Sequence, residues 1–240
     1  MLLFEMVGCP GIGKTTLCKR VTDVFRAKGL KVANLRDFYF QHRRNGSKTS
    51  LICRVMLDFT NYPLYLDAVR IKLKYGNHNT NWNYVGSLIF LMYELLFVKK
   101  ENKYDMLLLD EGIVQFISSL LYLEQLPSSF DEESIYTHLA EREIAPFIFL
   151  CDIDDMDENI RRLRNRNVDT RFFRIKDDNK LKQVMETRKQ NLHTITSGYN
   201  QIFNIDMNLP VEENEKTLVG IINREIGLGV AKLDENKLEE

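Results

Sequence analysis

An α/β fold, with a parallel sheet covered by helices on both faces, is the class that three features of the sequence predict. Short apolar runs of strand length recur at residues 2–7, 30–35, 106–109, 146–151 and 201–205, with helical stretches between them. A glycine-rich loop at residues 8–15 joins the first of these runs to a helical stretch. No internal repeat, low-complexity tract or proline- and glycine-rich linker divides the chain, so a single domain is expected over residues 1–227, followed by a polar tail at 228–240.

The first run, Leu-Leu-Phe-Glu-Met-Val, is short and apolar enough for a buried strand. The loop then reads Gly-Cys-Pro-Gly-Ile-Gly-Lys-Thr, a complete match to the phosphate-cradling pattern G-x-x-x-x-G-K-[ST]. After it Leu17, Val21, Val24 and Phe25 recur at helical spacing, and Gly29 supplies a stop. Strand, loop and helix stand in the order that anion binding requires. Glycines let the backbone close around an anion while the helix N-terminus points free N–H groups at it. Gly8, Pro10, Gly11, Ile12, Gly13, Lys14, Thr15 and Thr16 are therefore the candidate contacts to a nucleoside triphosphate. Lys14 would reach the terminal phosphates, and the Thr15 hydroxyl would bind Mg²⁺.

Composition narrows the partners. With 44% hydrophobic residues the chain can bury a substantial core, and a net charge of −1 offers no general attraction to nucleic acid or to an anionic membrane. Its four cysteines show neither C-x-x-C pairing nor metal-ligand spacing, which suits reduced, buried thiols in a cytoplasmic protein. With strand and loop at the start of the sequence, no leader peptide is expected. The most apolar run, residues 88–98, is too short to span a bilayer and contains Glu94, so it is expected as a core helix. Residues 49–100 as a whole read as a helical, aromatic-rich insertion over one end of the sheet, broken near Tyr75 and Gly76.

Chemistry-bearing residues cluster in three further places. The strand at residues 106–109 ends in Asp110-Glu111-Gly112, and a strand beside the first one delivers a metal-orienting acid in this kind of site. Asp110 is the expected Mg²⁺ residue. Glu111 either joins the metal shell and substrate or polarises an attacking water. Between residues 157 and 176 stand Arg161, Arg162, Arg164, Arg166, Arg171 and Arg174. Arg162 and Arg166, four apart, are expected on one helix face, and the segment reads as a lid whose guanidinium groups neutralise a transferring phosphoryl group. A solvated basic helix paired with nearby aspartates is the alternative. After the second strand, Asp37 is the candidate to accept the acceptor's proton, or a turn cap. Arg43 and Arg44 follow it, and Phe38, Tyr39, Tyr62, Tyr65, Trp82 and Tyr84 are candidates to stack on a planar acceptor or simply to fill the core. The four histidines show no paired spacing, and no metal site is proposed from them.

The loop at residues 8–16, the run Leu107-Leu108-Leu109-Asp110-Glu111-Gly112 and the helix Ile160-Arg161-Arg162-Leu163-Arg164-Asn165-Arg166 resemble the P-loop kinases of the nucleoside and nucleotide kinase type, thymidylate kinase in particular. Asn204-Ile205-Asp206, Leu209-Pro210-Val211-Glu212 and the helix that follows resemble that family's last strand, adenine-contacting loop and final helix. The resemblance implies a P-loop NTPase three-layer fold with a five-stranded parallel sheet, ATP as donor and Mg²⁺ as cofactor. It further implies that Arg162 lies against the adenine or phosphates and that Arg166 acts from the lid with Arg171 or Arg174. The family's Asp-Arg-Tyr type signature is replaced here by Asp110-Glu111-Gly112, which leaves the acceptor open. The function expected is transfer of a γ-phosphoryl group to a small acceptor, a nucleotide or nucleoside before a nucleic-acid 5′ end. Its rival is a regulatory ATPase switch. No membrane partner is expected, and a homodimer is left open.

Overall fold

The computed structural model describes residues 1–34, 48–75, 82–121, 126, 132–166, 172 and 174–236. Asp37, Phe38, Tyr39, Arg43, Arg44 and Arg171 lie outside the described residues. In chain order the elements are β1 (Leu2–Val7), α1 (Lys14–Ala27), β2 (Val32–Asn34), α2 (Lys48–Leu57), a 3₁₀ turn (Phe59–Asn61), α3 (Tyr62–Tyr75), α4 (Asn83–Glu101), β3 (Met106–Leu109), α5 (Ile113–Leu121), α6 (Glu132–Glu141), β4 (Phe147–Asp152), α7 (Met156–Arg164), α8 (Asp178–Thr196), β5 (Ile202–Asp206) and α9 (Val211–Asn236). Each strand falls within or beside its apolar run: β1 and β3 match, β2 starts two residues later at Val32, and β4 and β5 each start and end one residue later. The last helix continues past Gly227 to Asn236, through the stretch read from sequence as a polar tail.

All five strands are parallel, in the order β2-β3-β1-β4-β5. Period-two alternation divides their side chains between two cores. Phe4 and Met6 of β1, Leu108 of β3 and Phe149 of β4 face α1 and α9, where Leu17, Val21, Phe25, Leu218 and Ile222 cover them. Leu3, Val7, Leu107, Leu109, Ile148 and Leu150 face the other way, into a core shared with α3 to α6 and α8. The residue between Leu3 and Val7 on that second face is not apolar. It is Glu5, 1% exposed. A smaller cluster of Cys9, Ile160, Leu163, Phe172, Leu181 and Met185 seals α7 and α8 beneath the glycine loop.

The apolar run at residues 88–98 forms the middle of α4, with Leu88, Leu91, Met92 and Leu95 buried in the second core. Helix α3 ends at Tyr75, where the sequence break was placed. Cys9, Cys18 and Cys151 are buried, but Cys53 is exposed on α2, contrary to the expectation that all four fill the core. Among the described residues, nothing buries the side of α2 that carries Cys53. No helix among the described residues is long and apolar enough to cross a membrane.

On the first face an aromatic ladder crosses the sheet. Phe4 stacks on Phe147 at 4.9 Å and on Phe149 at 5.5 Å between centroids, and Phe149 meets Phe203 at 5.8 Å. Phe4 is fully buried at the centre. Phe4→Ala should lower the unfolding free energy by about 3–5 kcal/mol, measured from urea unfolding, whereas a loss under about 1 kcal/mol would mean that the neighbouring rings close the gap.

Candidate active site

The loop leaves β1 at the sheet's centre and enters α1 through Gly13, whose φ of 108° is a left-handed value that an L side chain would strain to reach. No side chain caps α1, and its first turn carries no acid, so its opening N–H groups are directed at the loop's concavity. By contrast Asp155 caps α7 and Asp177 caps α8 through their own carboxylates. Lys14 is 7% exposed, and its Nζ donates to the carbonyls of Gly8 at 2.7 Å and Cys9 at 3.0 Å. Burial lowers its pKa from the usual lysine value, and the positive charge of Arg188 adds to that shift.

Two crevices flank the loop at the carboxyl ends of the strands, where open α/β sheets bind ligands. The first, about 360 Å³, is lined on one side by Pro10, Lys14 and Thr15 and by Asp110 and Glu111 beyond β3. Its other walls are Gln115, Phe116 and Ser119 of α5, Tyr84 of α4, Arg166, Phe172 and Arg188. The second, about 380 Å³, is lined by Ile12, Gly13, Thr16, Arg162 and residues 207–211. Asn214, 2% exposed, holds that last segment by donating to the Asp206 carbonyl at 2.8 Å.

β3 lies directly beside β1, in register from Leu2–Met106 to Glu5–Leu109, so Asp110 and Glu111 emerge next to the loop. Thr15, Asp110 and Glu111 therefore face one space with Lys14. A hydroxyl and two carboxylates are hard oxygen donors, the set that suits Mg²⁺. Gly8, Gly11 and Gly13 shape the loop, and Thr16 faces the second crevice.

The arginine segment divides. Helix α7 ends at Arg164, so Arg166 lies beyond it and does not share a helix face with Arg162. Arg162 faces the second crevice, donating to Glu158 at 2.8 Å and to the Met207 carbonyl at 3.4 Å. Arg166 faces the first. Arg161 also binds Glu158, whose carboxyl the two arginines hold down at about 2. Arg164 reaches the Ile175 carbonyl at 2.5 Å and Asp178 at 2.7 Å, bracing the ends of the connection to α8. Surface pairing thus accounts for Arg161 and Arg164, while Arg162 and Arg166 reach the crevices. Of the aromatic candidates, Tyr84 lines the first crevice, Tyr65 is buried among the helices, Tyr62 is half-buried beside it, and Trp82 is exposed.

Three polar residues of the site escaped the sequence reading. Arg188, 2% exposed on α8, lies over the Phe172 ring at 5.4 Å with Nη2 3.5 Å from the Ser119 hydroxyl. Gln115 accepts from the Gly8 amide at 3.3 Å through Oε1. Glu5 accepts from the amides of Val114 at 3.1 Å and Gln115 at 2.8 Å. An acid inside an apolar strand run was the signal for Glu5, whereas nothing in the sequence distinguished Arg188 from the other charges of its helix.

No family model matches the chain, and neither does any curated protein. Among solved structures, a shikimate kinase from Bacteroides thetaiotaomicron is similar over 92% of this chain and 98% of its own, at 15% identity and a TM-score of 0.48. A deoxyadenosine kinase from M. mycoides is similar over 93% of this chain and 100% of its own, at 11% identity and a TM-score of 0.42. Likenesses of this depth say nothing about ligand or reaction.

Burial drives the Glu5 carboxyl up to about 7 from 4.5, against the pull of its amide donors. Between those two values the folded chain keeps a proton that the unfolded chain has released. The contribution of Glu5 to stability is therefore fullest below about pH 4.5 and shrinks by about 3 kcal/mol as the pH rises through 7. Urea unfolding across that range should show wild type losing stability relative to Glu5→Gln as pH rises. A difference that does not change with pH would assign Glu5 an ordinary carboxyl.

Proposed function

We propose that the chain is a Mg²⁺-dependent kinase that transfers the γ-phosphoryl group of ATP to a small acceptor, a nucleotide or nucleoside in the first instance. The observation that carries this is the first crevice itself. It gathers the loop lysine, the Thr15 hydroxyl, the two carboxylates after β3 and two arginines around one space large enough for an acceptor. The adenosine of ATP fits the second crevice, between Arg162 and the Leu209-Pro210 segment, with its phosphates running along the loop to the first.

In this reading the loop amides and Lys14 hold the β- and γ-phosphates, and Thr15 with Asp110 and Glu111 holds the metal. Mg²⁺ in that place would neutralise charge on the phosphates. Arg166 and Arg188, which line the same crevice, stabilise the charge that develops on the transferring group. Asp37 and Arg171, outside the described residues, keep their proposed roles as acceptor base and lid cation. Tyr84 and Phe116 offer faces to a planar acceptor. The thymidylate kinase-like assignment is the finest form of the proposal; the crevice around Leu209 and Pro210, where that family's adenine-contacting loop would lie, supports its donor side alone.

A second reading, an ATPase switch, draws support from Glu111, which is exposed in the first crevice beside Asp110 and free to orient a water. Labelled Mg-ATP offered with nucleosides, nucleoside monophosphates, small alcohols and a 5′-hydroxyl oligonucleotide separates the two. The kinase passes label to one acceptor class above the water blank, and the switch releases only phosphate. Glu111→Gln should stop hydrolysis in an ATPase and spare part of the acceptor-dependent transfer in a kinase. Lys14→Ala should cut transfer by about a hundredfold to a thousandfold while circular dichroism and melting temperature stay close to wild type. A folded Lys14→Ala protein with near wild-type turnover would sink the assignment.

A further inference from the structure

We propose, resting on the reading of this crevice as a magnesium–nucleotide site, that Glu5 and Gln115 are positioning residues that set the turn Asp110-Glu111-Gly112 against the phosphate loop. Glu5 occupies a strand position that packing alone would fill with another aliphatic side chain, between Leu3 and Val7. What justifies an acid there is α5, whose first turn carries no acidic residue of its own. The orphan amides of that turn are met from another strand: Glu5 Oε2 accepts from Val114 and Oε1 from Gln115. The approach is so close that a Cβ on Gly112 would lie 2.5 Å from the Glu5 carboxyl carbon.

Gln115 carries the constraint to the loop. Its backbone amide rests on Glu5, its side-chain oxygen accepts from Gly8, the loop's first residue, and its side chain lines the first crevice. Asp110 and Glu111 are thus pinned from both directions. Leu109 before them is in register with Glu5 in the sheet, and Gly112 after them lies against the Glu5 carboxyl group. A carboxylate pair that must meet a metal also touching Thr15 tolerates little drift relative to the loop, and misplacement of about 1 Å is enough to weaken such a site. Helix capping for stability alone predicts something different, since it would lower the melting temperature without altering how the site responds to Mg²⁺.

The test uses the full chain, wild type and the variants Glu5→Gln and Gln115→Met, with a fluorescent N-methylanthraniloyl-ATP as probe. Folding is checked by circular dichroism. Mg²⁺ is titrated at fixed probe, and probe binding is measured separately in excess EDTA. Positioning predicts that the Mg²⁺ concentration for half-maximal binding rises about tenfold in Glu5→Gln and by a smaller factor in Gln115→Met, with metal-free affinity unchanged within about twofold in Glu5→Gln. Should Glu5→Gln fail to fold, Gln115→Met decides alone, because it leaves the buried carboxyl group and its cap in place. Mg²⁺ midpoints equal to wild type in folded variants would overturn the proposal and leave the kinase reading standing. A wild-type protein whose probe binding ignores Mg²⁺ would overturn the site reading and the proposal together.

Discussion

The pairing of β1 with β3 governs the geometry of everything above the sheet. Both strands are buried on both faces, so a slip of one residue would drive apolar side chains out of one core and into the other. With register locked from Leu2–Met106 to Glu5–Leu109, the glycine loop and the Asp110-Glu111 pair leave adjacent strands at the same level. β4 on the far side of β1 does the same for Asp152, which holds α8 through Lys189 at 2.7 Å and His193 at 3.3 Å. Helix α8 then brings Arg188 into the first crevice. The crevice is built from strand ends and from helices anchored to them.

Legibility in the sequence followed the range of the interaction. The loop, its flanking strand and helix, and the acid at the end of β3 are each written in a few consecutive residues, because their chemistry is local backbone geometry. Arg188 is different. Its place depends on the rotation of α8 against β4 and on Phe172 arriving from another segment, and its neighbour Lys189 carries the same charge in the sequence while serving a different contact. The pairing of Arg162 with Arg166 failed for a related reason. A spacing of four implies a shared face only while the helix lasts, and α7 stops at Arg164, where the guanidinium turns to the Ile175 carbonyl and Asp178. Glu5 could be seen as anomalous in its strand, but its partners lie more than a hundred residues away.

Charge distribution in the first crevice sets a further constraint. Lys14, Arg166 and Arg188 line one space with Asp110 and Glu111, and burial already holds Lys14 below its usual pKa. Clustered cations in a partly buried space repel one another, a cost that polyanion binding relieves. The thiols nearby do not share this role, since burial raises Cys9 and pushes Cys151 up to about 12, well away from reactive thiolates.

The division of the two crevices by the loop makes direction part of the proposed chemistry. Arg162 is committed to Glu158 and the Met207 carbonyl on one side, so it steadies the segment over the second crevice while reaching any group bound there. Arg166, two residues past the end of α7, lines the first crevice, while Arg164 ties the end of α7 to Ile175 and Asp178. A nucleotide lying with its base beside Leu209 and its phosphates along the loop would thus meet Arg162 first and Arg166 last. Its terminal phosphate would then stand among Lys14, Thr15 and Asp110, facing the walls formed by Tyr84, Phe116 and Arg188. An acceptor held by those walls would meet that phosphate in the first crevice, apart from the base in the second, the separation of donor and acceptor that the proposed transfer requires.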